Sequence, residues 1–297
     1  MKIAISGASG LIGRRLLKTL LAAGHSIEAL SRHAGANMPA GVKVSVWDPM
    51  AGEPPSDSLR GADAVIHLAG SPVAQRWTDE VKRGIRESRI TGTRNLVKAL
   101  EKMTERPQTL VSASAIGYYG ARGDEVLTES SAPGSDFLAE VCQAWEREAS
   151  AAEAFGMRVV MVRTGVVLDP RGGALERMLP PFKLGLGGKI AGGGHWMSWI
   201  HYEDIAGIFQ HAVSSDLHGP VNGVAPNPVT NAEFTRELAR ALHRPALFPV
   251  PAAALRAMFG EMAEVVLASQ RVLPRQAEAS GYRFRFPLLA AALTNLL

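Results

Sequence analysis

An apolar run, Ile3 to Ser6, leads straight into Gly7-Ala8-Ser9-Gly10-Leu11-Ile12-Gly13, and Leu16, Leu17, Leu20 and Leu21 follow at helical spacing up to Gly24. No other feature of the chain restricts its fold so tightly. A buried strand that turns sharply into a helix over three glycines leaves the first helical N–H groups without partners and the backbone bare enough for close approach. Such N–H groups suit phosphate. The pattern predicts a strand–turn–helix unit that cradles a pyrophosphate, with Gly7, Ser9, Gly10, Leu11, Ile12 and Gly13 binding the cofactor.

The alternation continues downstream. Ile27 to Leu30, Val42 to Trp47, Ala64 to Leu68, Thr109 to Ser112 and Arg158 to Val162 read as further strands, with Val81 to Met103 and Phe137 to Phe155 as helices between them. Strands separated by helices mean a parallel sheet covered on both faces. The fold class is therefore α/β, a doubly wound NAD(P)-binding Rossmann fold. The 297 residues, 46% hydrophobic, leave room for a smaller α+β lobe as well. Residues 1–221 are assigned to the dinucleotide domain, with a Gly-rich excursion at about 169–198, and 222–297 to the C-terminal lobe. Within the excursion, the glycines of 185–188 and 192–194 read as forbidding a long regular element. Lys183, Lys189, His195 and Trp196 lie there, on a strip able to close over a ligand. Beyond Asn222 the segments are Pro-punctuated, with helical patterns from Asn231 to Leu242 and from Ala252 to Leu267.

The second strand ends at Leu30-Ser31-Arg32-His33. A site for NAD would place Asp or Glu near here, on the ribose 2′-hydroxyl. A hydroxyl followed by a guanidinium suits a 2′-phosphate instead, so Ser31 and Arg32 indicate NADP, with Arg14 or Arg15 in reach from the first helix.

Charge and cysteine usage bound the partners. With 32 Lys and Arg against 28 Asp and Glu, the net charge is +4 and no run of five like charges occurs, which excludes a nucleic-acid or membrane tail. The expected partner is a small-molecule substrate. The single cysteine, Cys142, rules out an intrachain disulfide and a thiolate cluster, and the eight histidines show no metal-ligand spacing. No stretch reaches the ~18 apolar residues a bilayer span needs. A reducing, cytoplasmic compartment is expected.

Further segments carry a family resemblance: His67-Leu68-Ala69-Gly70, Ser88-Arg89-Ile90-Thr91-Gly92-Thr93, Ser112-Ala113-Ser114, Arg163-Thr164-Gly165-Val166-Val167-Leu168 and Trp199-Ile200-His201-Tyr202-Glu203-Asp204. Together with the glycine turn, the chain resembles the extended short-chain dehydrogenase/reductases of the NAD-dependent epimerase/dehydratase superfamily, in an atypical epimerase-like branch. The resemblance implies that Leu68, Ala69 and Gly70 line the adenosine and ribose side, that Arg89 reaches the cofactor from the following helix, and that Val167 meets the nicotinamide end. It also implies Ser114 as the hydroxyl orienting a substrate oxygen, and places His201 and Asp204 near the cleft.

One departure is sharp. The superfamily's Tyr-x-x-x-Lys pair is missing, because Tyr118, Tyr119, Tyr202 and Tyr282 are followed four residues on by Arg122, Gly123, Ala206 and Phe286. On the helix that should carry the pair, the frame falls on Leu138 and Cys142, or on Cys142 and Glu146. Cys142 itself, among Leu138, Val141 and Trp145, reads as a small buried hydrophobe. Tyr118 or Tyr119 then becomes the candidate replacement acid. The implied activity is an NADP(H)-binding epimerase-like oxidoreductase acting on a hydroxyl or carbonyl carbon. The alternative is a non-catalytic NADP(H)-binding sensor or regulator, a role some relatives are described as playing in cell division.

Overall fold

A computed structural model describes residues 1–35 and 37–297. Its centre is one sheet of seven strands: β1 (Lys2–Ser6), β2 (Ser26–Ser31), β3 (Val42–Val46), β4 (Ala64–His67), β5 (Thr109–Ala115), β6 (Arg158–Thr164) and β7 (Gly219–Gly223). They lie in the order β7-β6-β5-β4-β1-β2-β3 with every pair parallel. All carboxyl ends therefore emerge along one edge, and the strand order reverses between β1 and β4, where a ligand crevice forms in such sheets.

Burial explains the apolar strands. Ile3 and Ile5 point to one face and pack with Leu16, Leu17 and Leu20 of α1 (Leu11–Ala22). Ala4, Val65, Leu110 and Val159 point to the other, against Leu96 and Leu100 of α2 (Asp79–Glu101) and Ala149 of α3 (Phe137–Ser150). With both faces covered, the strands read as nearly continuous hydrophobic runs.

The excursion differs from the sequence reading. Residues Gly173–Lys183 form an α-helix, α4, inside the stretch read as irregular. The glycines sit at its ends, Gly172 before it and Gly185 just after it, while Leu175, Leu179 and Phe182 recur at helical spacing between them and are buried. Pro180 and Pro181 withhold two N–H groups without stopping the helix. After α4 come α5 (Tyr202–Ser214), α6 (Asn231–Ala241) and, at the chain end, α7 (Leu289–Leu296). α4 shares a core with α6 and α7, through Leu179, Phe182, Phe234, Leu238 and Leu293. The helix expected over Ala252 to Leu267 is divided at Gly260 into Ala252–Phe259 and Ala263–Leu267. No helix among the described residues is long and apolar enough to cross a membrane.

Candidate active site

The glycine turn is built by close approach. Gly7 adopts φ +72°, and a Cβ there would stand 2.7 Å from the Leu68 carbonyl carbon at the end of β4. Gly13 packs in the same way on the Gly7 oxygen and on Ala8. Gly10 opens α1 without a side-chain cap, and no acidic residue occupies the first turn. The leading N–H groups of α1 thus face the crevice unopposed, the condition for binding a pyrophosphate. Leu11 packs against Gly172 and Gly173 at the head of α4, and Ile12 against the main core.

At the end of β2, Ser31 is half-buried, its Oγ accepts from the His33 N–H at 3.3 Å, and Arg32 is exposed. The strand's own carboxylate, Glu28, is buried and occupied, accepting from Ser45 at 2.6 Å and pairing with Lys43 at 3.1 Å. Arg14 stays exposed in front of the turn and donates to the Ser9 carbonyl at 2.7 Å. Arg15 is held toward the excursion. Its guanidinium pairs with buried Asp169 at 2.6 Å and lies over the Tyr202 ring at 4.1 Å, joining α1 to the excursion.

Leu68 and Val167 are half-buried at the edge of the main core. The Arg89 guanidinium lies over Gly70 and 5.1 Å from the Trp145 ring, donating to the carbonyls of Ser71 and Ile85 at 3.1 Å. Among the described residues its hydrogen bonds go to neutral carbonyls, and burial lowers its pKa. A sheltered cation held this way favours an anionic ligand.

Behind the crest of β5 lies a polar network that sequence reasoning did not assemble. Arg163, at the end of β6, forms a bidentate pair with Glu146 of α3, both bonds 2.8 Å long. The Glu146 carboxylate also accepts the Ser114 hydroxyl at 2.6 Å. Arg163 donates further to Tyr119 Oη at 3.0 Å and to the Glu129 carbonyl at 3.2 Å. Tyr119 donates to Asn222 Oδ1 at 2.7 Å. Burial would lower the Arg163 pKa, but the hydrogen bonds and charge of Glu146 together with Tyr119 outweigh it and raise the value. For Tyr119 burial prevails, and its phenol is pushed up to about 12. A signal for the pair exists: Glu146 interrupts the apolar face of Val141, Cys142, Trp145 and Ala149, where a carboxylate needs a buried partner.

These contacts bear on two expectations. Ser114, expected to orient a substrate oxygen, is 4% exposed and donates its hydroxyl proton to Glu146. Tyr119 is committed as well. Tyr118 is the tyrosine of this loop left available: half-buried, with Arg163 Cζ 3.4 Å from its ring centre, and with no hydrogen bond from its hydroxyl to another described residue. On α3, Leu138 packs against Gly117, and burial pushes the Cys142 thiol up to about 12, so neither supplies acid or base.

His201 and Asp204 are tie points between segments. His201 caps α5 by accepting from the Glu203 N–H and meets Asn295 of α7, while Asp204 accepts from the N–H groups of Arg285 and Phe286. Of the remaining strip residues, Trp196 donates to Asp124 at 2.8 Å under the Arg271 guanidinium, His195 is half-buried, and Lys183 and Lys189 are exposed.

Two family models match the chain: the NAD dependent epimerase/dehydratase family over residues 3–224, and a domain of unknown function, DUF1731, over residues 250–296. The epimerase family protein Mb2239 of Mycobacterium bovis is 43% identical over 294 residues, covering 98% of this chain and 96% of the relative. A crystal structure of human epimerase family protein SDR39U1 (isoform 2) with NADPH superposes with TM-score 0.89 at 36% identity, over 100% of this chain and 99% of that one. The Thermus thermophilus UDP-glucose 4-epimerase complex with NAD shares the fold, with TM-score 0.79 at 22% identity and coverage of 100% and 98%.

Proposed function

The chain belongs to the NAD-dependent epimerase/dehydratase family, and on that premise we propose that it is an NADP(H)-dependent, epimerase-like oxidoreductase acting on a hydroxyl or carbonyl carbon of a small substrate. The observation that carries the reading is the end of β2, where exposed Arg32 follows half-buried Ser31 and the only acid of the strand, Glu28, is engaged elsewhere. That arrangement suits a 2′-phosphate and gives an unphosphorylated ribose no carboxylate partner. The relative crystallised with NADPH supports the same choice.

In this reading the free N–H groups of α1, around Gly7, Ser9, Gly10, Leu11, Ile12 and Gly13, hold the pyrophosphate. Ser31, Arg32 and Arg14 hold the 2′-phosphate, Leu68, Ala69 and Gly70 flank the ribose, Arg89 adds charge, and Val167 packs at the nicotinamide end. The cofactor, when bound, gives or takes a hydride. Tyr118 then supplies the substrate oxygen with its proton, or removes it in the reverse direction. Arg163 fixes the Tyr118 ring, and Ser114 acts at one remove by orienting Glu146 against Arg163. The lobe of residues 222–297, with the excursion at 169–198, selects the substrate. A reducing, cytoplasmic setting fits the single cysteine.

Calorimetric titration with NADPH and NADH, followed by NADPH oxidation over a panel of aldehydes, ketones and quinones, tests the proposal. Tighter binding of NADH removes the cofactor assignment, and full turnover by Tyr118→Phe removes the acid. Stoichiometric NADPH binding without turnover on any substrate leaves the alternative, a non-catalytic NADP(H)-binding protein. Half-buried, apolar Leu138 and buried, inert Cys142 in place of the usual pair favour that second reading.

A further inference from the structure

Two segments of the C-terminal half pair into a ribbon that carries apolar side chains outward. Leu186 bridges Ala246, Ile190 bridges Val250, the Phe248 N–H donates to Gly187, and the Arg244 side chain donates to the Lys183 carbonyl. The ribbon is anchored from within, as Leu242 and Ala246 pack on the core shared by α4, α6 and α7. Outward, Leu184 is 73% exposed, Leu247 75%, Phe248 55% and Leu186 54%. Clustered exposure of this kind, on a backbone held by its own hydrogen bonds, marks an interaction surface.

The surroundings of these side chains say what covers them. Residues 183–194 and 240–260 contain no Asp or Glu but do contain Lys183, Lys189, Arg240, Arg244 and Arg256. Arg240 and Arg256 are answered by Glu237 and Glu264, whereas Lys183, Lys189 and Arg244 have no ion-pair partner among the described residues. A second copy would bring this cationic rim against itself across a two-fold axis, which costs rather than gains. Pro245, Pro249 and Pro251 remove N–H groups along the outer segment, so an added β-strand would find too few donors. Neither segment contains a Trp or Tyr, the side chains that anchor proteins at a lipid interface.

We propose that this ribbon docks an amphipathic helix of a partner protein, its apolar stripe covering Leu184, Leu186, Leu247 and Phe248 and its acidic flanks meeting Lys183, Lys189 and Arg244. Helix-on-face recognition uses apolar anchors at helical spacing, and rim charges select the partner. The surface shares no residue with the proposed cofactor site, so the two can be tested separately.

The experiment uses the full chain and fluorescein-labelled helical peptides of about 18 residues, alike in their leucine stripe and flanked by Glu in one and Lys in the other. Fluorescence polarisation is expected to show the Glu-flanked peptide binding about tenfold tighter or more, with the gap narrowing as salt rises. The variant Leu184→Asp/Leu247→Asp is expected to lose about tenfold or more of that affinity while melting and binding NADPH like the parent. Equal binding of the two peptides, or an unchanged variant, overturns the proposal. So does sedimentation with phosphatidylserine vesicles that the variant abolishes, which assigns the surface to lipid. A concentration-dependent dimer that the variant abolishes overturns it equally, in favour of self-association.

Discussion

Replacing Glu146 by Gln tests the buried network directly. The shape of the side chain is kept and its charge is lost, leaving Arg163 with a neutral amide where it had two carboxylate bonds of 2.8 Å. The pair is deeply sheltered, with side-chain exposures of 4% for Arg163 and 10% for Glu146. Breaking such a pair from one side costs about 3–5 kcal/mol, because the remaining charge stays buried without compensation. The retained amide oxygen and the contacts of Arg163 to Tyr119 and Glu129 place Glu146→Gln near the lower end, about 3 kcal/mol. For a chain of 297 residues that is a fall in melting temperature of about 5 °C. Urea unfolding followed by circular dichroism reads the free energy, with Arg163→Met and the double variant Glu146→Gln/Arg163→Met measured alongside. The double variant should be less destabilised than the two singles summed, by about 1 kcal/mol or more, since it removes both charges together. A cost below about 1 kcal/mol for Glu146→Gln, or strict additivity in the cycle, would refute the view that a coupled ion pair holds the crest of β5.

Gly7→Ala places a Cβ 2.7 Å from the Leu68 backbone at φ +72°; the variant should lose about 2 kcal/mol or more of stability and most of its NADPH affinity, read by thermal melts with and without NADPH. Arg32→Ala should weaken NADPH by about 10- to 100-fold, the value of one charge-assisted phosphate contact, and leave NADH almost unchanged in calorimetry. His67 is fully buried, with Nδ1 on Ser6 Oγ at 2.6 Å, and burial lowers its pKa from 6.5 to about 4. The unfolded chain therefore takes up this proton first on acidification, so the contribution of His67 is complete above about pH 6.5 and is lost as pH falls toward 4. Relative to His67→Asn, the parent should lose up to about 3 kcal/mol more across that window, measured by urea unfolding at stepped pH. Asp169→Asn, which strips Arg15 of its buried partner, should cost about 2–4 kcal/mol by the same denaturation assay.

The strand–turn–helix opening and the alternation of strands and helices were legible in the sequence, as was the position of Ser31 and Arg32 at the end of β2. Each depends on local chemistry: a glycine where a Cβ has no room, apolar residues at periods of two or 3.6, a hydroxyl and guanidinium where a carboxylate might stand. Helix α4 was missed because its glycines, dense in the linear count, sit at its two ends, while Leu175, Leu179 and Phe182 form a stripe between them. The engagement of Arg15, weighed beside Arg14 for the phosphate end, was not legible for a different reason, since its partner Asp169 lies 154 positions away.

The residues in order were enough for the parallel sheet and for the glycine turn that joins β1 to α1. Tertiary structure decided which polar side chains meet. Ser114 reaches Glu146 across 32 positions, Arg163 reaches Tyr119 across 44, and Tyr119 reaches Asn222 across 103. No local period encodes these separations. They arise because seven parallel strands bring their carboxyl ends to one edge, where low exposure makes an unpartnered charge or hydroxyl costly. That cost draws buried Ser114 and Tyr119 into the network, while half-buried Tyr118 keeps a hydroxyl without a partner among the described residues.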